Sequence, residues 1–440
     1  MKDDEIASLD EEYKFLSKRC DVNDPRKKGI LSPYTFSLKD AIWLKGVGTT
    51  ASSDILEGFC PVENSTVAQK ILENGGRIIG KTTQDAFGFG TFCTNVGSRY
   101  RVPLNPSDKE RCVGGSSGGA ACAAKLIDKH IAIGESTGGS ITTPASFSGV
   151  VGVCPTYGRV SRHGLITYSS SFDKIGVMSR NVADSAVALG IISGMDEKDE
   201  TSSDIPVSDY VAATDDFSAK TKGMKVGILD FEGVDEVISQ RVGLISERLE
   251  EKGVEIEKID LPFTKKYSLS AYYIIAMAEA STHLACLSGL RYGKGDDVSK
   301  EYNEYFTDVR TGGFTKEAKR RIMIGTYVRM AGYRGKYYEK ALKVRQKIID
   351  EYKDLFSRFD AILCPAAPCI APKFDEIDHM SLSHVYSMDS ITAGPNMAGL
   401  PNISVPVSKS DELPFGAMLI ADYFQEAKLM SLGSLLEVLR

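Results

Sequence analysis

The chain reads as an α/β protein with helices on both faces of a sheet. Two observations predict it. Strand-like apolar runs alternate with helical periodicity along nearly all 440 residues, and 42% apolar with 25% charged residues is ordinary globular composition. Residues 1–30 are charged and weakly periodic, with Pro25 and Gly29 reading as loop, so a charged segment is expected ahead of a main domain at 31–440. Ser65 caps a short helix over Thr66–Asn74, stopped by Gly75-Gly76 and followed by a strand at Arg77–Gly80. Gly118–Lys129 is Ala-rich and helical and runs into a strand at His130–Gly134, and Val182–Met195 is a further helix. The polar stretch Asp196–Lys222 reads as a linker between a first half at about 38–195 and a second at 223–440. Beyond it come a strand at Lys225–Leu229, an amphipathic helix at Glu236–Lys252 and a charge-laced helical region over Lys316–Phe356, broken at Gly332. Ala361–Cys364, Ile403–Val407 and Ala417–Ala421 read as short buried strands, and a helix from Gln425 closes the chain.

Composition excludes several classes of function. With 53 Lys and Arg against 59 Asp and Glu the net charge is −6, which argues against a nucleic-acid surface as the main device. No apolar run approaches the ~18 residues of a membrane span. The nine cysteines are scattered, with no C-x-x-C and no His at zinc spacing, so free thiols in a reducing compartment are expected and no metal site. Met1–Asp10 holds four acids and no apolar stretch, unlike a signal or transit peptide, and the expected location is cytoplasmic.

Two segments differ from their surroundings: Gly114-Gly115-Ser116-Ser117-Gly118-Gly119 and Thr137-Gly138-Gly139-Ser140. Glycine runs bring backbone N–H groups close to a ligand or a developing oxyanion. A simple connector is one reading of each. A phosphate loop is another, but Ala-Ala-Cys follows Gly119 where a Walker loop needs Lys-Ser/Thr. Serine catalysis is the third. A nucleophile elbow at Gly114–Gly118 lacks the apolar strand that should lead into it, and none of the five His lies in a marked loop. A Lys can replace His as base. Lys39, in the mostly apolar Phe36–Ile42, is the candidate, because burial disfavours an ammonium and leaves an amine able to accept a proton.

These segments, with Gly149–Arg162, Ser170–Gly176, Tyr272–Ala276, Lys319–Tyr327 and Asn396–Pro401, resemble the amidase signature family from Leu38 to the C-terminus. In detail they are similar to its branch that serves as the glutaminase of tRNA-dependent amidotransferases. The resemblance implies a central mixed, mostly parallel sheet. It implies Ser140 as nucleophile, Ser116 as proton bridge through a cis peptide, Lys39 as ultimate base, and backbone N–H groups of Thr137, Gly138, Gly139 and Ser140 as the oxyanion hole. For glutamine it implies Arg321 on the α-carboxylate, Asp389 on the α-ammonium and Tyr272 lining the pocket. The sequence departs from the family pattern at Ser136, preceded by Glu135, where Asp is usual, at Thr142 for Arg, and at Ala41 for Asn.

The implied activity is release of ammonia from glutamine for a partner, the B subunit of such an amidotransferase. That partner would activate Glu-tRNA(Gln), or Asp-tRNA(Asn), with ATP and Mg2+, and would hold the charged tRNA. No cofactor is expected in this chain. A small third subunit is a further candidate partner, although the segment before Lys39 is shorter than in bacterial members. The alternatives are a freestanding amidase acting on small amides and a catalytically silent scaffold.

Overall fold

A computed structural model of the chain describes residues 3–440. The strands are β1 Leu16–Val22, β2 Thr35–Lys39, β3 Arg77–Thr82, β4 His130–Ser136, β5 Val151–Cys154, β6 Lys174–Ser179, β7 Lys225–Leu229, β8 Glu255–Ile259, β9 Ala361–Pro365, β10 Asn402–Pro406 and β11 Gly416–Ala421. Among the described residues they form one sheet in the order β1-β3-β2-β4-β6-β5-β10-β11-β9-β7-β8. Helices cover both faces, as the alternating pattern predicts.

The sheet is mixed, but parallel pairing is the minority. Only β2 with β3, β2 with β4, β7 with β8 and β7 with β9 run parallel. The centre is antiparallel, from β4 through β6, β5, β10 and β11 to β9. The expectation of a mostly parallel sheet is therefore corrected. The physical reason lies in the connections. A parallel neighbour needs a crossover, such as the helix Glu236–Glu251 between β7 and β8. No helix separates β5 from β6, or β10 from β11, and these pairs run antiparallel.

Two other expectations change. The N-terminal segment is part of the domain: the helix Asp3–Tyr13 leads into β1, which pairs antiparallel with β3 at the sheet edge. Its charged residues Lys18, Arg19 and Asp21 are exposed, which suits an edge strand, while Phe15 and Leu16 pack with Ile79 and Ile127. The supposed linker is docked as well. It forms two short helices, Tyr210–Thr214 and Phe217–Thr221, and buries Tyr210 beside Glu426. Its carbonyl at Ile205 accepts a hydrogen bond from the buried Arg159 (2.7 Å), and Asp196 accepts from Thr66 and Ser161. The polarity that suggested solvent exposure serves these bonds instead.

Elsewhere local signals hold. Ser65 caps the helix Thr66–Glu73 through the Ala68 N–H (3.1 Å), worth about 1 kcal/mol. The long helical region divides into Lys316–Arg329 and Tyr338–Phe356 around the expected break. The nine cysteines are free thiols. No helix among the described residues is long and apolar enough to cross a membrane.

Candidate active site

The sheet brings the carboxyl ends of β2 and β4 side by side, because these two strands are parallel neighbours. Lys39 ends β2 and Glu135-Ser136 ends β4. β6 runs the other way, with Lys174 opposite Ser136, so Asp173 arrives at the same end. The loop before the helix Gly118–Leu126 delivers Ser116 there through a cis Gly115–Ser116 peptide.

Lys39 and Ser116 are wholly buried, and their side chains touch: Nζ lies 2.7 Å from Ser116 Oγ. Ser140 sits at the turn into the helix Thr142–Ser148 and is 7% exposed, so it alone of the three is open to solvent. Its carbonyl accepts the N–H of Ser117 at 3.2 Å, which ties the two glycine-rich segments together. Sequence reasoning placed these three residues in one site, and the fold brings their segments together.

The turn over Thr137–Ser140 is oriented through its carbonyls. Gly138 O accepts from Ser136 Oγ (2.8 Å) and from Asn396 Nδ2. Gly139 O accepts the Thr143 N–H at 2.8 Å. In a planar trans peptide the N–H points opposite to the C=O. The N–H groups of Gly139 and Ser140 therefore face the other way, towards the side occupied by Tyr272 and Asp389. The glycines permit that closeness. A Cβ on Gly138 would lie 2.8 Å from the Tyr272 hydroxyl, and one on Gly139 3.3 Å from Asp389 Oδ1. Ser136 and Thr142, where the sequence departs from the family pattern, are both absorbed into this turn, Thr142 Oγ1 lying 3.4 Å from Gly139 O. Asp40, next to Ala41, instead accepts from Thr50 and Ser52, on the Lys81 side.

The wall facing the turn comes mostly from the second half, with Phe89 and Tyr168 added from the first. The helix Pro262–His283 carries Tyr272 and Tyr273, and the helix Lys316–Arg329 packs on it closely enough that a Cβ at Gly325 would run into the Met277 carbonyl. Arg321 is 3% exposed, donates to Glu317 Oε1 (2.8 Å) and to the Tyr168 hydroxyl (2.5 Å), and lies within 6 Å of the Phe89, Tyr168, Tyr273 and Tyr386 ring centres. Such a cage holds a guanidinium by cation–π attraction while leaving N–H donors over. Asp389 accepts from the Tyr273 hydroxyl at 2.6 Å. Burial pushes its carboxyl above the usual range, and the Tyr273 hydroxyl and Arg321 pull it back. Tyr272 and Asp389 thus lie against the Thr137–Ser140 turn, and Arg321 stands beside Asp389 with its guanidinium on the Tyr168 hydroxyl.

Sequence reasoning missed Tyr168, Tyr273, Glu317 and Tyr386, whose roles depend on contacts across more than 60 positions in the chain. It also missed Glu135 and Asp173, although Glu135 was named as the neighbour of the departure at Ser136. Asp173 is held well above the usual carboxylate range by burial and by Glu135 nearby. Burial likewise pushes Asp85, whose backbone N–H binds Ser116 O at 3.1 Å, up to about 6.

A buried amine on a serine hydroxyl, with a second serine on a glycine turn tied to the same loop, has the parts that serine-dependent amide cleavage needs. The chain belongs to the amidase family, whose profile matches residues 14–430. It is 42% identical over 409 residues, 92% of this chain and 83% of the relative, to the glutamyl-tRNA(Gln) amidotransferase A subunit of Rippkaea orientalis. The protein of that name from Methanococcoides burtonii is 42% identical over 91% of this chain and 83% of its own length. The crystal structure of the Thermotoga maritima protein of the same name superposes with a TM-score of 0.82 at 37% identity, covering 98% of this chain and 88% of that one.

Proposed function

We propose that this chain is the glutamine-hydrolysing component of a tRNA-dependent amidotransferase. The observation that carries the chemistry is the 2.7 Å contact between a wholly buried Lys39 amine and Ser116 Oγ. Ser140 Oγ attacks the carboxamide carbon of glutamine. Its proton passes to Ser116 Oγ while the Ser116 proton passes to Lys39. Charge on the former carbonyl oxygen is met by N–H groups of the Thr137–Ser140 turn, where each donor is worth ~10²–10³ in rate. The proton returns along the same path to the departing nitrogen, ammonia leaves, and water resolves the acyl-Ser140 ester to glutamate.

Selectivity for glutamine over simple amides needs a cation and an anion at fixed places. Arg321 supplies the first, Asp389 the second, and Tyr272 closes the side over the glycine turn. The ammonia is used by the amidotransferase's B subunit, which binds ATP and Mg2+ and holds Glu-tRNA(Gln), with Asp-tRNA(Asn) as a second acceptor. A cytoplasmic setting is part of the same reading, as is a small third subunit. This chain uses no cofactor of its own for hydrolysis.

The test is ammonia release from glutamine by the purified chain, alone and then with the partner subunit, ATP and Glu-tRNA(Gln). Slow release alone that rises steeply with the full set is expected. Rapid turnover of glutamine and simple amides alike, unchanged by the additions, would replace this reading with a freestanding amidase.

A further inference from the structure

Lys39 has three directions around its nitrogen besides the bond to its own side chain, and the structure fills all three. One meets Ser116 Oγ at 2.7 Å. The other two meet the same residue: Glu135 O at 2.9 Å and Glu135 Oε2 at 2.8 Å. Both side chains are buried, at 0% and 4% exposure. A neutral amine has two N–H donors and one lone pair. With both donors taken by Glu135, the lone pair is left facing Ser116, where a proton must be accepted.

Glu135 is itself braced. Its Oε1 lies 2.8 Å from Thr137 Oγ1, which lies 2.8 Å from Asp173 Oδ1. A hydroxyl has a single proton to donate. It cannot serve two carboxylates, so one contact is made by a proton on a carboxyl. Asp173 is the carboxyl whose burial favours that form. The contacts then run from Asp173, whose oxygens also accept the Tyr168 and Ser169 N–H groups, through Thr137 to Glu135 and on to Lys39. The other titratable groups set around the amine are Asp85 and Cys93, from the loop after β3.

We propose that Glu135 is the positioning residue of the hydrolytic centre, aiming the Lys39 amine at Ser116 with its backbone and side-chain oxygens. The proposal rests on the functional reading above. It gives a role to the acid that precedes Ser136, the position where the family pattern has Asp: the chain supplies an anion from the end of β4 to orient the base.

The experiment measures glutamine hydrolysis by the assembled amidotransferase against pH, for wild type, Glu135→Gln, Glu135→Ala and Lys39→Met. Glu135→Ala is expected to lower kcat on the order of 10²-fold, the cost of a misplaced catalytic group, with KM for glutamine within about threefold. Glu135→Gln keeps the shape and one acceptor, so its kcat falls less. It removes the negative charge beside the amine, so the acid limb of its pH–rate profile moves to lower pH. Ammonia-driven amidation, which bypasses hydrolysis, should persist in each variant. If Glu135→Ala loses that activity too, its fold is broken and the profile of Glu135→Gln decides. Hydrolysis in Glu135→Gln with an unmoved acid limb and a kcat like wild type would overturn the role of Glu135. Full hydrolysis in Lys39→Met would overturn the functional reading first, and this proposal with it.

Discussion

The reacting centre and the substrate pocket lie against each other, yet they are built by different means. The reacting centre comes from three segments of the first half, held by neighbouring strands and by backbone hydrogen bonds of two glycine-rich turns. The substrate side is built from side chains, mostly of the second half, with Arg321 caged by rings from both halves and Asp389 held by Tyr273 across 116 positions. Backbone placement tolerates almost no change in residue size. A side-chain cage spreads its cost over several contacts. Substitutions in the first region should therefore abolish chemistry, and those in the second should weaken recognition while chemistry survives.

Ser140→Ala gives the sharpest test of that contrast. Glutamine hydrolysis should fall at least about 10⁴-fold, as for other lost serine nucleophiles, while ammonia-driven amidation by the assembled enzyme continues. Loss of both activities would mean that the centre also carries the fold. Lys39→Met comes next. It removes the base and leaves two buried Glu135 oxygens without their donor, so activity falls nearly as far and stability drops by about 1–3 kcal/mol. A thermal midpoint unchanged from wild type would show that the pair is not closed in solution.

Gly138→Ala probes the seam between the regions. The added methyl meets the Tyr272 hydroxyl at 2.8 Å, which predicts overpacking of about 1–3 kcal/mol and a clear loss of kcat. Unaltered kinetics would show that Tyr272 can step aside. Asp389→Asn should raise KM for glutamine some tens-fold, in line with the ~2 kcal/mol of a charged hydrogen bond, with little effect on a simple amide. An equal loss on both substrates would place Asp389 in the chemistry instead.

The smallest effect tests the scaffold beneath the centre. His130 on β4 bonds through both ring nitrogens to Thr35 and Ser37 of β2, and burial pushes its imidazole down to about 3. The unfolded chain takes up that proton near pH 6.5 and the folded chain only near pH 3. Stability is thus fully present above pH 6.5 and is lost as pH falls, at up to about 1.4 kcal/mol per unit. Asp85, raised to about 6, acts in the opposite sense, favouring the folded state at low pH and losing that contribution as pH rises through 6. Melting His130→Gln from pH 7 to pH 4 should show a flatter decline than wild type. Parallel curves would remove His130 from the acid response.

Much of this protein is determined by local chemistry that a single sequence carries. Ser65, Gly75-Gly76 and the apolar runs mark helix and strand without help from distant residues, because caps, turns and burial periodicity are short-range effects. Lys39 and the two glycine-serine segments stood out for the same reason, being locally rare patterns, while the roles of Lys39, Ser116 and Ser140 came from the family resemblance. Pairing direction, the docked stretch 196–222 and the ring cage around Arg321 were not legible, since each depends on partners far along the chain. Glu135 marks the boundary. The sequence shows an acid beside the glycine turn, and only the parallel pairing of β2 with β4 decides that this acid faces a buried amine.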